Sequence, residues 1–443
     1  MLPNYFAEAT VLQRVSFGIL IAFLFMIFSR IFDVQLAWLH IPGISYRVMA
    51  VFLVMSGTFL AAFREAIGKF IIAFTACFLA AIPFSVWKSG SFHALTEQWL
   101  VGFVVFMATA ALISDFRQYI RTAKTVALAI LVLTVICITL GTVVNGRLFL
   151  PRGRFANPNE MAQALLLGMP FWWAITSSAR SHLLKVFGAA SIGLMLYVIS
   201  KTGSRGALVC LALVMGVIFL RASVVGKVKV LAAVMVMLLV GVLMIPQALR
   251  ARYQTFFRAD IPEAWDQVDA NFLNSAVGST NNRKEMLIRS LQLTVTHPFL
   301  GVGPGMFVVA EDTMAKSEGE RMGSWLGTHN SFTQVSSECG IPALLFYVAI
   351  VGISFKRSYA LHRRARSRPE WREISIHALA LNYSLIVFII TGFFVHAAYT
   401  ALLPVLAGLT VSLVRTADPL LAQQEPEDAP PQPVRARAAA AAV

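Results

Sequence analysis

Apolar runs free of Asp, Glu, Lys and Arg recur along almost the whole chain. An α-helix rises 1.5 Å per residue, so roughly 20 apolar residues cross a hydrocarbon core of about 30 Å. Runs at residues 15–29, 48–63, 70–87, 98–114, 125–146, 161–179, 186–200, 206–220, 230–249 and 339–355 each predict one spanning helix. Residues 374–414 hold enough uncharged sequence for two more, turning near residues 396–399. The pattern therefore predicts an all-α polytopic membrane protein of about twelve helices. No small-residue cleavage site follows the first run, which reads as a retained helix.

One long polar stretch interrupts this pattern, from residue 250 to about 338. Inside it, residues 283–296 place Met286, Leu287, Leu291 and the apolar group 293–295 at partly helical spacing, predicting an amphipathic helix along the membrane face. His297-Pro298 ends it, and GVGPGMF at 301–307 predicts a tight loop. The organisation read from the chain is helices one to nine over 1–249, a large loop over 250–329, helices ten to twelve over 330–415, and a disordered tail over 416–443. Residues 250–281, with Trp265, Asp260, Glu263, Asp266 and Asp269, read as surface loop or as part of an acceptor-choosing surface.

Composition sharpens the reading. Of 443 residues, 58% are hydrophobic and only 13% charged, where a soluble domain carries about 25% charged. The net charge is +15. A soluble nucleic-acid binder is excluded, since its basic residues would sit on a polar surface. With the N-terminus inside, the inner segments carry 18 Lys and Arg and the short outer loops seven, which predicts cytoplasmic termini and puts the polar stretch on the outer face. Five of the seven outer cations fall in two loops, at 145–160 and 201–205. The four cysteines show no CxxC spacing and read as apolar filler rather than disulfide or metal ligands.

Those two loops and a third could carry chemistry. Asn157-Pro158-Asn159-Glu160 predicts a capped helix start, and Arg152 and Arg154 lie beside it. Free N–H groups and the dipole at such an end attract anions, and guanidinium forks add to that pull. Thr202-Gly203-Ser204-Arg205-Gly206, with Lys201 alongside, sits at the outer mouth of the seventh and eighth spans. An arginine there is a functional candidate or a solubilising turn residue. The third is Thr328-His329-Asn330-Ser331-Phe332, followed by Glu338. His329 suits proton transfer near neutral pH; Glu338 assists or pairs with an arginine.

Taken together, RFANPNE (154–160), TGSRGA (202–207), HPFLGVGPGMF (297–307) and THNSF followed by ECGIP (328–332, 338–342) resemble the bacterial O-antigen ligase and polymerase superfamily. The resemblance implies a membrane glycosyltransferase of GT-C type, with a large periplasmic loop between helices nine and ten and its site on the periplasmic side of the inner membrane. It implies a glycan donor on undecaprenyl pyrophosphate. The acceptor is lipid A-core for a ligase, a second lipid-linked repeat for a polymerase, or a Ser or Thr hydroxyl for a protein O-oligosaccharyltransferase. By the same resemblance His329 is the catalytic histidine, Arg205 and Arg154 bind pyrophosphate, and Arg283, opening the loop helix, is a further pyrophosphate ligand. Arg152 and Lys201 join this set; Asn157, Asn159, Asn330 and Glu338 support it. The chain has no DxD-like acidic motif, so a metal-independent reaction without cofactor is expected. A twelve-helix transporter or lipid-linked glycan flippase is the competing class, and it calls for polar groups in broken helices near mid-membrane.

Overall fold

The computed structural model describes residues 10–34, 37–39, 41–144, 146–153, 155–244 and 270–422. Among them, eight helices are long and apolar enough to cross a membrane. The chain is an all-α polytopic membrane protein. Its main helices are α1 (Val11–Ser29), α2 (Ile41–Met55), α3 (Ala66–Ala81), α4 (Lys88–Leu112), α5 (Phe116–Leu140), α6 (Pro158–Ser178) and α7 (His182–Lys201). There follow α8 (Arg205–Arg221), α9 (Val224–Met244), α10 (Ala270–Thr296), α11 (Phe307–Ser317), α12 (Ser331–Ala365), α13 (Arg372–Gly392) and α14 (Leu402–Ala422).

Several boundaries differ from the hydropathy reading, for local reasons. The run at 48–63 is not one helix: α2 starts at Ile41 and stops at Met55, because Gly57 turns the chain in the left-handed region (φ 68°). The run at 125–146 ends early. After α5 stops at Leu140, β1 (Thr142–Val144) and β2 (Arg147–Phe149) form an antiparallel hairpin with Val144 opposite Arg147. Asn-Gly between two short strand-forming segments is the usual signal for such a turn, and Gly146 takes φ 68°. At the C-terminal end α14 continues to Ala422, so the tail begins later than 416. Residues 423–443, and the segment with Trp265, Asp260, Glu263, Asp266 and Asp269, lie outside the described residues.

The core is a bundle in which α12 packs along α3, α13 and α14, while α14 also lies against α4 and α13 against α6. Phe74, Phe78, Trp99, Tyr347 and Tyr399 form a buried aromatic cluster, with Phe74 and Trp99 centroids 4.6 Å apart.

The feature that sets the functional end of the bundle is a break in α12. Gly340 takes φ 85°, ψ 171°, and splits a short leading segment from the long helix. Each backbone group freed by such a break needs a partner, and the loop after α10 supplies them. Ile341 N–H donates to the Pro298 carbonyl (2.7 Å), Val302 N–H to Ser337 (2.9 Å) and Gly303 N–H to Glu338 (3.0 Å). The buried Glu338 carboxylate accepts from Gly305 N–H (2.9 Å) and Phe307 N–H (3.2 Å). A Cβ on Gly340 would fall 2.2 Å from the Phe299 carbonyl oxygen, so the contact requires glycine. GVGPGMF is therefore a plug that fixes the broken helix.

Candidate active site

Four elements meet at one end of the bundle. Arg205 is the first residue of α8, after a turn made by Gly203 (φ 60°) and capped by the Ser204 hydroxyl, which accepts from Ala207 N–H. His329 stands just before α12. Its neighbour Asn330 caps that helix, the side-chain oxygen accepting from Phe332 N–H (2.9 Å) and Thr333 N–H (3.2 Å). Thr328 Oγ1 donates to the Asn330 carbonyl (2.9 Å) and tightens the turn. Held this way, His329 takes φ 50°, a left-handed conformation that costs a non-glycine residue about 1–2 kcal/mol.

The third element is α10, which brings Arg283, Lys284 and Leu287. It begins at Ala270, so Arg283 lies within the helix rather than opening it: the polar residues at 270–282 continue the helix, where an apolar-periodicity reading starts only at the first apolar group. The fourth is the segment after α13, where Phe394 rests on Gly206; a Cβ there would lie 2.7 Å from the ring. These elements enclose a cavity of about 400 Å³ lined by Arg205, Arg283, His329, Asn330, Thr328, Lys284, Leu287, Gly206, Phe393 and Phe394.

Its electrostatics are one-sided. Among the described residues no Asp or Glu lines the cavity. Burial, then the neighbouring Arg205 charge, lowers the Arg283 pKa from its ordinary value, and Arg283 Nε has no hydrogen-bond partner among the described residues. Burial, then the charges of Arg283 and His396, pushes His329 down to about 4. His396 packs edge-on to His329 with centroids 5.7 Å apart, in room left by Gly327. At neutral pH the imidazole is therefore uncharged and able to accept a proton, beside two guanidinium groups. Such a cavity takes an anion together with a group that loses a proton.

The structure gathers Arg205, Arg283, His329 and Asn330 and leaves the other described candidates outside the lining. Lys201 turns its ammonium over Tyr197 (5.5 Å). Arg152 is exposed. Arg154 lies outside the described residues. Asn157 caps α6, accepting from Asn159 N–H at 2.9 Å. Glu338 serves the loop plug, its carboxylate held by backbone N–H groups and by Tyr399 and Gln334.

Residues 190–348 match the sequence model of the family described as O-Antigen ligase. Over that stretch the chain is similar to the O-antigen ligase family. No curated protein matches it in sequence. The O-antigen ligase stretch includes Arg205, Arg283, His329 and Glu338, while Phe393, Phe394 and His396 reach the site from beyond it. Those three were not singled out in the sequence. The uncharged run 374–414 reads as two spans whatever its turn does, and only the fold shows that the turn folds back over His329.

Arg147 is another residue near the candidate site that was not singled out in the sequence. Its guanidinium ties two of the motif loops together, Nε donating to the Thr202 carbonyl (2.8 Å) and Nη2 to Asn159 Oδ1 (3.1 Å). The Asn-Gly hairpin signal was the clue, because the residue after that turn must emerge at the foot of α6. Arg147→Ala removes charge-assisted bonds and is expected to cost about 2 kcal/mol of stability, read as a lowered Tm in detergent; Asn159→Ala should lose less.

Proposed function

We propose that the protein is a glycosyltransferase that moves a glycan from undecaprenyl pyrophosphate to an acceptor hydroxyl, that of lipid A-core, on the periplasmic face. The observation that carries this reading is a cavity, with no carboxylate among its described lining residues, in which two crowded guanidinium groups face a neutral histidine. The acceptor oxygen attacks the anomeric carbon as the bond from that carbon to the phosphate oxygen breaks. His329 takes the hydroxyl proton, and the pyrophosphate leaves with the electron pair. Arg205 and Arg283 hold the charge that grows on the departing oxygen. Pyrophosphate is a stable anion, so the step needs a base more than an acid. Asn330 and Thr328 fix the backbone that presents the imidazole, and the Phe393 and Phe394 rings form the apolar side of the same cavity.

The test uses purified protein in nanodiscs with an undecaprenyl-pyrophosphate glycan and no ion gradient. Lipid A-core, a second lipid-linked repeat and a Ser/Thr peptide are offered in parallel. Donor consumption with glycan appearing on lipid A-core is expected; an intact donor with all three acceptors refutes the proposal.

A pH dependence follows from the depressed His329 value. Because the imidazole is neutral above pH about 4, kcat/KM should hold on the acid side down to about that pH and fall below it. A pyrophosphate bound between the arginines offsets the Arg283 field and favours the imidazolium, so the acid limb of kcat should lie higher. Stability should also drop as pH falls from 6.5 toward about 4, because the unfolded chain takes up the proton first. Coincident acid limbs for kcat and kcat/KM would contradict this account.

A further inference from the structure

Helix α10 gives only one side to the cavity. Arg283 and Leu287 line it, whereas Asn281, Glu285, Ile288 and Gln292 recur at helical spacing on another side of the same helix. That stripe is one wall of a second, open cavity of about 380 Å³, and Glu318, just past α11, stands across from it. Sites for small ligands run from about 300 to 1,000 Å³. The far wall is fixed in place: the buried Arg289 guanidinium donates to the carboxylates of Glu318 and Glu320 (3.1 Å to Glu320) and pins their segment to α10. Lys284 lines both cavities and marks the boundary between them.

The two compartments differ in charge. The first carries Arg205, Arg283 and Lys284 and, among its described lining residues, no carboxylate. The second sets Lys284 and Arg289 against Glu285 and Glu318 and adds the side-chain amides of Asn281 and Gln292. A balanced set of donors and acceptors gives a bare anion no advantage. It suits a neutral polyol, whose hydroxyls both donate and accept. Exposed Ile288 supplies an apolar patch for the C–H face of a sugar ring.

We infer that this second cavity holds uncharged sugar units of the glycan, those of the lipid-linked donor or those of the acceptor, while the first holds the pyrophosphate. The inference deepens the proposed function and rests on it. An anion compartment and a polyhydroxyl compartment stand side by side, in the order in which pyrophosphate and sugar follow one another in the donor. The acceptor sugar must reach the same junction. From Asn281 to Gln292 the stripe runs about 16 Å at 1.5 Å per residue, so it follows a chain of sugars rather than a single ring.

Blocking this cavity should therefore penalise extended glycans selectively. Gln292→Trp fills it, and Asn281→Ala combined with Gln292→Ala strips its amides; both positions are exposed on α10, and each variant is checked for folding by its Tm and gel-filtration profile. Transfer is measured from undecaprenyl pyrophosphate carrying several sugars or one, to lipid A with a complete or a truncated core. Losing one or two sugar hydrogen bonds corresponds to about a tenfold effect, so kcat/KM for the extended substrate should fall about tenfold relative to its shortened form. A loss that vanishes when the donor is shortened assigns the cavity to the donor glycan, and one that vanishes when the core is shortened assigns it to the acceptor. An equal loss with every substrate pair, or no loss, overturns the inference. A second measurement needs no turnover: saturation-transfer NMR with delipidated core oligosaccharide and with the released donor glycan should show contact with the wild-type protein in nanodiscs. Gln292→Trp should abolish that contact, and inorganic pyrophosphate should leave it intact. Absence of contact with both glycans, contact that survives Gln292→Trp, or contact that pyrophosphate displaces overturns the inference. If the wild-type protein transfers from neither donor, glycosyl transfer is refuted, and the NMR contact alone decides the cavity.

Discussion

Alanine at position 329 is expected to lower glycan transfer by about 10²–10⁴-fold, the usual contribution of a positioned general base, while the protein remains folded in the membrane. The imidazole caps no helix: Asn330 and Thr328 make the bonds that hold this turn, and they survive the substitution. Donor binding should persist, because both arginines remain. The measurement is product formation per folded protein beside equilibrium binding of the lipid-pyrophosphate donor. Wild-type turnover in a well-folded His329→Ala protein would end the case for this residue as base.

Removing either guanidinium should have the second largest effect. Arg205→Ala and Arg283→Ala are each expected to reduce kcat by about 10²–10³-fold, as loss of one charge-stabilising donor does in other sites. Lysine at either position restores charge without the planar fork and should recover only part of the rate. Arg283→Ala carries a second signature. Its charge helps to hold the His329 pKa down, so its loss should move the acid limb of kcat/KM upward from about pH 4. An arginine with a purely structural role would slow the enzyme without moving that limb.

Much of the fold was legible because bilayer thickness imposes one length on every span, and uncharged runs report it directly. Where the prediction slipped, hydropathy had averaged over a turn. Ser56-Gly57 sits inside an apolar run, and Thr142–Val144 is apolar enough to extend a helix that had already ended. The site was partly legible for a different reason. Arg205 and His329 were exposed as candidates by their place at span ends, against the charge rule or beside a helix cap. Arg283 was found through resemblance, with its position in the helix misjudged. Lys201 and Arg152 followed the same charge logic, yet one lies over an aromatic ring and the other faces outward. Charge bias tells which loops are unusual; only side-chain direction tells which cations converge. Glu338 shows the limit from the other side, since two of the groups that hold its carboxylate are backbone N–H groups more than thirty residues away.

The left-handed backbone of His329 implies a trade-off between stability and activity. Glycine alone adopts that conformation freely, so the folded chain would relax if the imidazole were given up. Holding histidine at φ 50° leaves the turn under a standing load that capping at Asn330 and the plug around Gly340 must counter. Selection for greater thermal stability alone would therefore tend to erase the proposed base, and a more stable His329→Gly chain with little of the proposed transferase activity is the form in which that conflict would show itself.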